Sequence, residues 1–154
     1  MATWAEFERE APALAETGRG LIYKFPVGLG FLATVRKDGG PRVHPFCPII
    51  FEGGLYAFLL SQSYKRDDLV RDPRYAIHAF PADEDEEFYF DGTARQLPDP
   101  DLRARLVEFT NGQLGSHDFE ELWTFDIERV LHTTWHNWAK PDTYPTHEKW
   151  ASRG

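Results

Sequence analysis

The sequence predicts a mainly β domain: an antiparallel barrel, closed or split, of about six strands with two or three peripheral helices. Three observations predict it. Segments of period-two hydrophobicity recur from residue 30 onward, Gly-bearing turns of hairpin length separate the first of them, and no helical crossover of the kind a parallel sheet needs lies between them. At 154 residues with 42% hydrophobic composition, the chain has the length and core material of one domain.

Residues 4–17 have the spacing of an amphipathic helix, with Trp4, Phe7 and Ala11 on one stripe and Gly18 as its stop. In residues 30–36, Phe31, Ala33 and Val35 alternate with Leu32, Thr34 and Arg36. Lys37-Asp38-Gly39-Gly40 then supplies a tight hairpin. The return strand, 41–45, carries Pro41 and Pro45, which lack amide donors and so belong at an edge, an end or a bulge. Residues 47–51 and 55–60 flank a second hairpin signal at Glu52-Gly53-Gly54. A short helix from Tyr64 ends at Asp72-Pro73, and strands are expected over 75–80 and 88–97.

Between those strands Asp83 to Glu87 form an acidic run, most simply a solvated connection. Asp99-Pro100 opens a helix whose buried face is Leu102, Leu106 and Phe109, and Asp118 with Glu121 suggests a capping pair for one further turn. Trp123, Phe125 and Ile127 alternate, and residues 130–135 are β-branched and aromatic enough for a closing strand. The domain therefore divides into an N-terminal helix over 1–18, a barrel core over 30–97, a helix and closing strand over 98–138, and an irregular tail over 139–154.

The formal charge of −8 argues against a general binder of nucleic acid or anionic membrane, because phosphate-rich polymers reward basic surfaces. Small ligands need only a local positive patch. The first residues are acidic where a secretory signal would be basic, and the apolar runs are short, so the expected location is the cytoplasm. The single cysteine, Cys47, leaves no internal disulfide and no multi-cysteine metal site. Four of the five Trp fall between residues 123 and 150, enough apolar surface for a core, a subunit interface or the wall of a cofactor pocket.

The segment most suited to a ligand is Ser61-Gln62-Ser63-Tyr64-Lys65-Arg66, at the passage from an apolar strand into a helix. A helix N-terminus offers unpaired amides and a positive dipole end, the hydroxyls add hydrogen bonds, and two cations neutralise charge, which suits a terminal phosphate. The same cations also suit a solvated helix surface paired with neighbours such as Asp68. Arg36 and Arg42 pair with acids or reach a ligand, and the former is the simpler reading. Cys47 reads as a small buried hydrophobe rather than a nucleophile, so no catalytic side chain is assigned. His132 and His136 share a face in a strand but lie about 13 Å apart by strand rise, too far to ligate one metal ion.

GFLATVRKDGGPRVHPFCPIIFEGGLYAFL followed by SQSYKRDDLVRDPRYAIHAF resembles the pyridoxamine 5'-phosphate oxidase-like, FMN-binding split-barrel family over about residues 30–97, and more loosely through VLHTTW. The ordered set carries the resemblance: a Thr-Val strand, a charged Gly hairpin, a proline-bearing return strand, a Gly hairpin, then a Ser-x-Lys helix closed by Asp-Pro-Arg. It implies a six-stranded split barrel and a homodimer with cofactor sites at the subunit interface. The cofactor would be FMN, a deazaflavin in some branches, and haem in a few.

On that pattern Ser63 and Lys65 would hold the phosphate with Arg66 near it. His44, Pro45, Phe46 and Ser61 would lie along the ring and ribityl chain, and Trp135 would line the pocket from the partner subunit. His44 also reads as a strand residue facing solvent or a neighbouring strand. The implied activity is flavin-dependent oxidation or reduction of a small molecule, or flavin carriage without efficient turnover. Asp68 stands where family members often carry Asn. Its carboxylate either opposes a phosphate or pairs with Lys65 or Arg71.

Overall fold

A computed structural model describes residues 1–81 and 86–153. Residues Asp83 to Asp85 of the acidic run lie outside the described residues. The elements in chain order are α1 (Trp4–Glu10), α2 (Pro12–Ile22), β1 (Gly30–Val35), β2 (Pro41–Phe46), β3 (Ile49–Phe51), β4 (Gly54–Leu60), α3 (Tyr64–Arg71), β5 (Arg74–Ala79), β6 (Glu87–Gln96), α4 (Pro100–Phe109), β7 (Glu120–His136) and β8 (Tyr144–Ala151). The strands pair antiparallel in the order β2-β1-β5-β6-β7-β4-β3, with β8 added on β7. The fold is therefore the expected mainly β, split-barrel class, with eight strands among the described residues rather than six.

β7 is the spine. Along one edge it pairs with β6 over most of its length. On its other edge β4 takes residues 120–124 and β8 takes residues 129–136, and Ala2 bridges the gap through two backbone bonds to Ile127 of 2.7 and 2.8 Å. The sheet order ends on β2 and β3. These strands follow one another in sequence across Cys47-Pro48 without pairing, which leaves a seam. Both prolines of β2 face this unpaired edge of the ladder, as their missing donors require.

Four sequence expectations are corrected. The single helix over 4–17 is two helices, because Pro12 cannot continue α1: Thr3 caps α1 in a capping box, the chain breaks at Ala11 (φ −138°, ψ 66°), and Pro12 opens α2. Gly18 is not a stop. It lies inside α2 because a Cβ there would fall 2.1 Å from the Phe88 ring. The tail expected to be irregular contains β8, in which Lys149 and Ala151 pair with Leu131 and Arg129. Asp118 and Glu121 form no capping pair either: Glu120 accepts from the amides of His117 (2.9 Å) and Gly115 (3.2 Å), and Glu121 is engaged elsewhere.

The inner faces of the strands and both N-terminal helices contribute one aromatic core. Trp4, Phe7, Phe88, Phe90 and Phe125 are essentially fully buried. Trp4 meets Phe7 edge-on at 5.4 Å, and Tyr75 meets Phe125 at 5.0 Å. A smaller cluster of Ile49, Leu102, Leu106 and Leu122 seats α4, which Asp99 caps through the Leu102 amide at 2.9 Å. Phe109 leaves that face and packs on Phe51, half in water. The clustered tryptophans have separate fates: Trp123 is core, Trp150 packs on Phe7, and Trp135 meets Trp138 near the surface. Phe90→Ala should cost about 3–5 kcal/mol. In urea titrations this would appear as a lower midpoint at an unchanged slope.

Candidate functional site

Some of the residues singled out in the sequence, His44, Ser61, Ser63 and Lys65, gather near the seam between β2 and β3. The Ser61 amide donates to the Phe119 carbonyl (2.8 Å), and the Ser63 amide and hydroxyl both donate to the Leu60 carbonyl (2.9 and 2.8 Å), so the chain turns sharply from β4 into α3. The loop carrying Phe119 is itself held by Arg103, which donates to the carbonyls of Gly115, His117 and Glu120. Ser63 is the N-cap of α3 but its side chain caps nothing. The amides of Tyr64 and Lys65 consequently have no acceptor among the described residues.

Asp68 anchors this corner. It is 3% exposed and accepts hydrogen bonds from the Thr34 hydroxyl (2.9 Å, β1), Arg42 Nε (2.6 Å, β2) and Arg71 Nη2 (2.8 Å, α3), while Arg71 Nη2 also donates to the Val35 carbonyl (2.7 Å). Burial pushes the carboxyl pKa up, but the bonds from Arg71, Arg42 and Thr34 outweigh it and the net shift is downward. Of the two partners expected for Asp68, Arg71 is found and Lys65 is not. Its charge is spent on guanidinium groups and does not face the helix entry.

Lys65 is the counterpart. It is half-buried and makes no ion pair among the described residues. Burial lowers its pKa, with Cys47 opposing, and burial raises the Cys47 thiol, with Lys65 opposing. His44 is held below its ordinary value by burial and then by Lys65 and Arg42, and its Nε2 is buried without a hydrogen-bond partner. An uncompensated cation, an orphaned imidazole nitrogen and two free amides thus converge on the seam. Arg42 lies over the Tyr64 ring at 5.0 Å and closes one side.

The other named residues are placed differently. Arg66 donates to both carboxylate oxygens of Glu121 (2.8 and 3.1 Å) and turns toward β7. Alternation along β2 puts Arg42, His44 and Phe46 on one face and Pro45 on the other. Phe46 is 7% exposed and packs on Phe125. Trp135 lies fourteen residues beyond Glu121 on β7, on the order of 40 Å of strand, so one chain does not bring it to Lys65. His132 Nε2 is bonded to Glu86 (2.6 Å). Sequence reasoning missed Thr34 and Glu121, partners 34 and 55 residues away from Asp68 and Arg66, for which no local pattern exists.

The structure is an antiparallel barrel open along one seam, where a half-buried cation and two amides without acceptors among the described residues gather. The chain belongs to the pyridoxamine 5'-phosphate oxidase family, whose pattern matches residues 26–133. No curated protein matches it. Solved structures of similar fold include a protein related to general stress protein 26 from Clostridium acetobutylicum (TM-score 0.66, 11% identity, 90% of this chain and 93% of that one). A second is a putative pyridoxamine 5'-phosphate oxidase from Listeria innocua (0.61, 13%, 75% and 94%). The haem storage protein HutZ from Vibrio cholerae is a third (0.59, 16%, 77% and 89%). At these identities the likeness carries the fold alone. No helix among the described residues is long and apolar enough to cross a membrane.

Because the folded pKa of Asp68 is depressed, the stability it contributes is present above its unfolded value and is lost as pH falls below about 4. Asp68→Ala should cost about 3–5 kcal/mol at neutral pH by leaving two guanidinium groups unpaired. Asp68→Asn should flatten the acid-side loss of stability, measured as urea midpoints between pH 7 and pH 3.

Proposed function

We propose that this protein is an FMN-dependent oxidoreductase of a small molecule, acting as a homodimer in the cytoplasm. The observation that carries the reading is Lys65: a half-buried cation with no carboxylate partner among the described residues, beside two amides without acceptors and the orphaned Nε2 of His44. Desolvating an ammonium group without a counter-ion is costly, and a phosphate dianion at this place would remove the cost. The residues present fit the group. Lys65, Ser63 and the Tyr64 and Lys65 amides would hold the phosphate, and His44 and Ser61 would meet the rest of the molecule. Arg66 would join only by leaving Glu121.

Bound FMN would supply the hydride and electron transfer. The chain's own contribution is to bind and orient it: Asp68 fixes α3 against β1 and β2 and so holds Lys65 in position. His44, kept neutral by burial and by the neighbouring cations, can donate or accept one hydrogen bond at Nε2. Cys47 stays a thiol, so nothing here supports covalent catalysis.

The dimer reading rests on an uncovered apolar face. Register puts Phe31, Ala33 and Val35 of β1 beside Pro45, Val43 and Pro41 of β2 on the outer side of the sheet. Phe80 stacks on Phe31 at 4.6 Å and Phe25 meets Phe80 at 6.3 Å. Val43 is 60% exposed at its centre. A second copy covering this face would adjoin the seam and could bring in Trp135, whose buried Nε1 has no partner.

Purified protein, or protein mixed with FMN, should show flavin absorption near 450 nm that a nicotinamide donor bleaches and an acceptor restores. Binding without bleaching by any donor would favour a flavin or deazaflavin carrier, and a Soret band instead would favour haem. Lys65→Ala should weaken FMN binding by about 1.5–3 kcal/mol, read from quenching of flavin fluorescence; an unchanged affinity would show that the phosphate does not sit at Lys65. In sedimentation velocity the parent chain should run as a dimer and Val43→Asp as a monomer.

A further inference from the structure

A second concave feature lies away from the seam. It is an open groove of about 590 Å³ across the outer face of β6, β7 and β8, within the size range of small-molecule sites. Strand alternation builds it. Phe88 and Phe90 face the core, which turns Tyr89 and Asp91 outward, and register places Leu131 and Arg129 opposite them on β7, then Lys149 and Ala151 on β8. A bulge at Asp91/Gly92 shifts the ladder beside the groove. Gly92 is required there, since a Cβ would fall 1.9 Å from the Asp126 carbonyl oxygen.

One corner is pre-organised by a buried charge. Asp91 is 8% exposed and accepts from the Tyr89 hydroxyl (2.6 Å) and from Arg129 Nε (3.1 Å). The phenol pKa is pushed up to about 12 by burial and by this bond, so Tyr89 remains a donor at neutral pH. Arg129 spends only Nε on Asp91, and its side chain is 63% exposed. Lys149 lines the same groove and makes no ion pair among the described residues. In a chain of charge −8 the charged lining of this groove is net positive, and Leu131 and Ala151 make its floor apolar, while the side chains of Val130 and Trp150 between them turn to the core.

We propose that this groove binds a small organic anion with a ring-sized apolar body, its acid group held by the terminal nitrogens of Arg129 and by Lys149, its body lying on Tyr89 and Leu131. A fixed guanidinium with its terminal nitrogens unspent suits a carboxylate or phosphate, and the apolar wall demands more than the acid group alone. The site is independent of the flavin reading, because no residue of the seam lines it.

Phenyl phosphate and inorganic phosphate can be titrated into the full chain while backbone amide shifts are followed by NMR. Saturable shifts over residues 129–131 and 149–151 are expected with phenyl phosphate. Binding read from the shifts of these residues should be at least tenfold weaker in Lys149→Ala and in Arg129→Ala, and that groove signal should be unchanged in Lys65→Ala. Lys149 is exposed and makes no ion pair among the described residues, so its variant guards against a mere folding defect at Arg129. An affinity at the groove unchanged in Lys149→Ala, a response of these strands to inorganic phosphate as strong as that to phenyl phosphate, or no saturable shift in them would overturn the proposal.

Discussion

The corner of the barrel that carries the site depends on one buried carboxylate. Asp68 joins β1, β2 and α3 through Thr34, Arg42 and Arg71. A buried charge of this kind contributes little net stability over an apolar packing, yet removing one partner leaves the others stranded in a medium that solvates them poorly. Its structural role is therefore one of position. It holds the first turn of α3 over the seam and takes up the two arginines, so that Lys65 is the cation left unspent.

The barrel around that corner explains why the seam can stay open. The aromatic core and the long β7 spine hold the sheet together from the opposite side, with Ala2 filling the one break in the β7 edge. β2 and β3 are then free to end without pairing, joined by Cys47 and the buried Pro48. A rigid scaffold with one unpaired margin is suited to binding: the margin supplies unpaired polar groups, and the rest keeps them in place.

Much of this was legible along the chain. The alternation in β1, the turn at Lys37-Asp38-Gly39-Gly40 and the Asp99-Pro100 cap are local signals, and each element formed where its signal lay. The passage from the β4 strand into the α3 helix after Ser61 was likewise recognisable from composition. The misreadings were local as well. Gly18 has the form of a helix stop, but the Phe88 ring, seventy residues on, needs its missing side chain. β8 carries Pro145 and mostly polar residues, and it becomes a strand only because β7 presents an unpaired edge to it.

By itself, the sequence determined the class of the fold and the order of its first strands and hairpins, because those follow from periodicity and turn chemistry within a few residues. Only the tertiary structure decided which cation would be free. Arg66, Lys65, Arg42 and Arg71 are alike in composition, and their roles separate when Glu121 takes the first and Asp68 takes the last two. Pairing of that kind joins residues tens of positions apart, so it is set by strand register and burial, which no local pattern records.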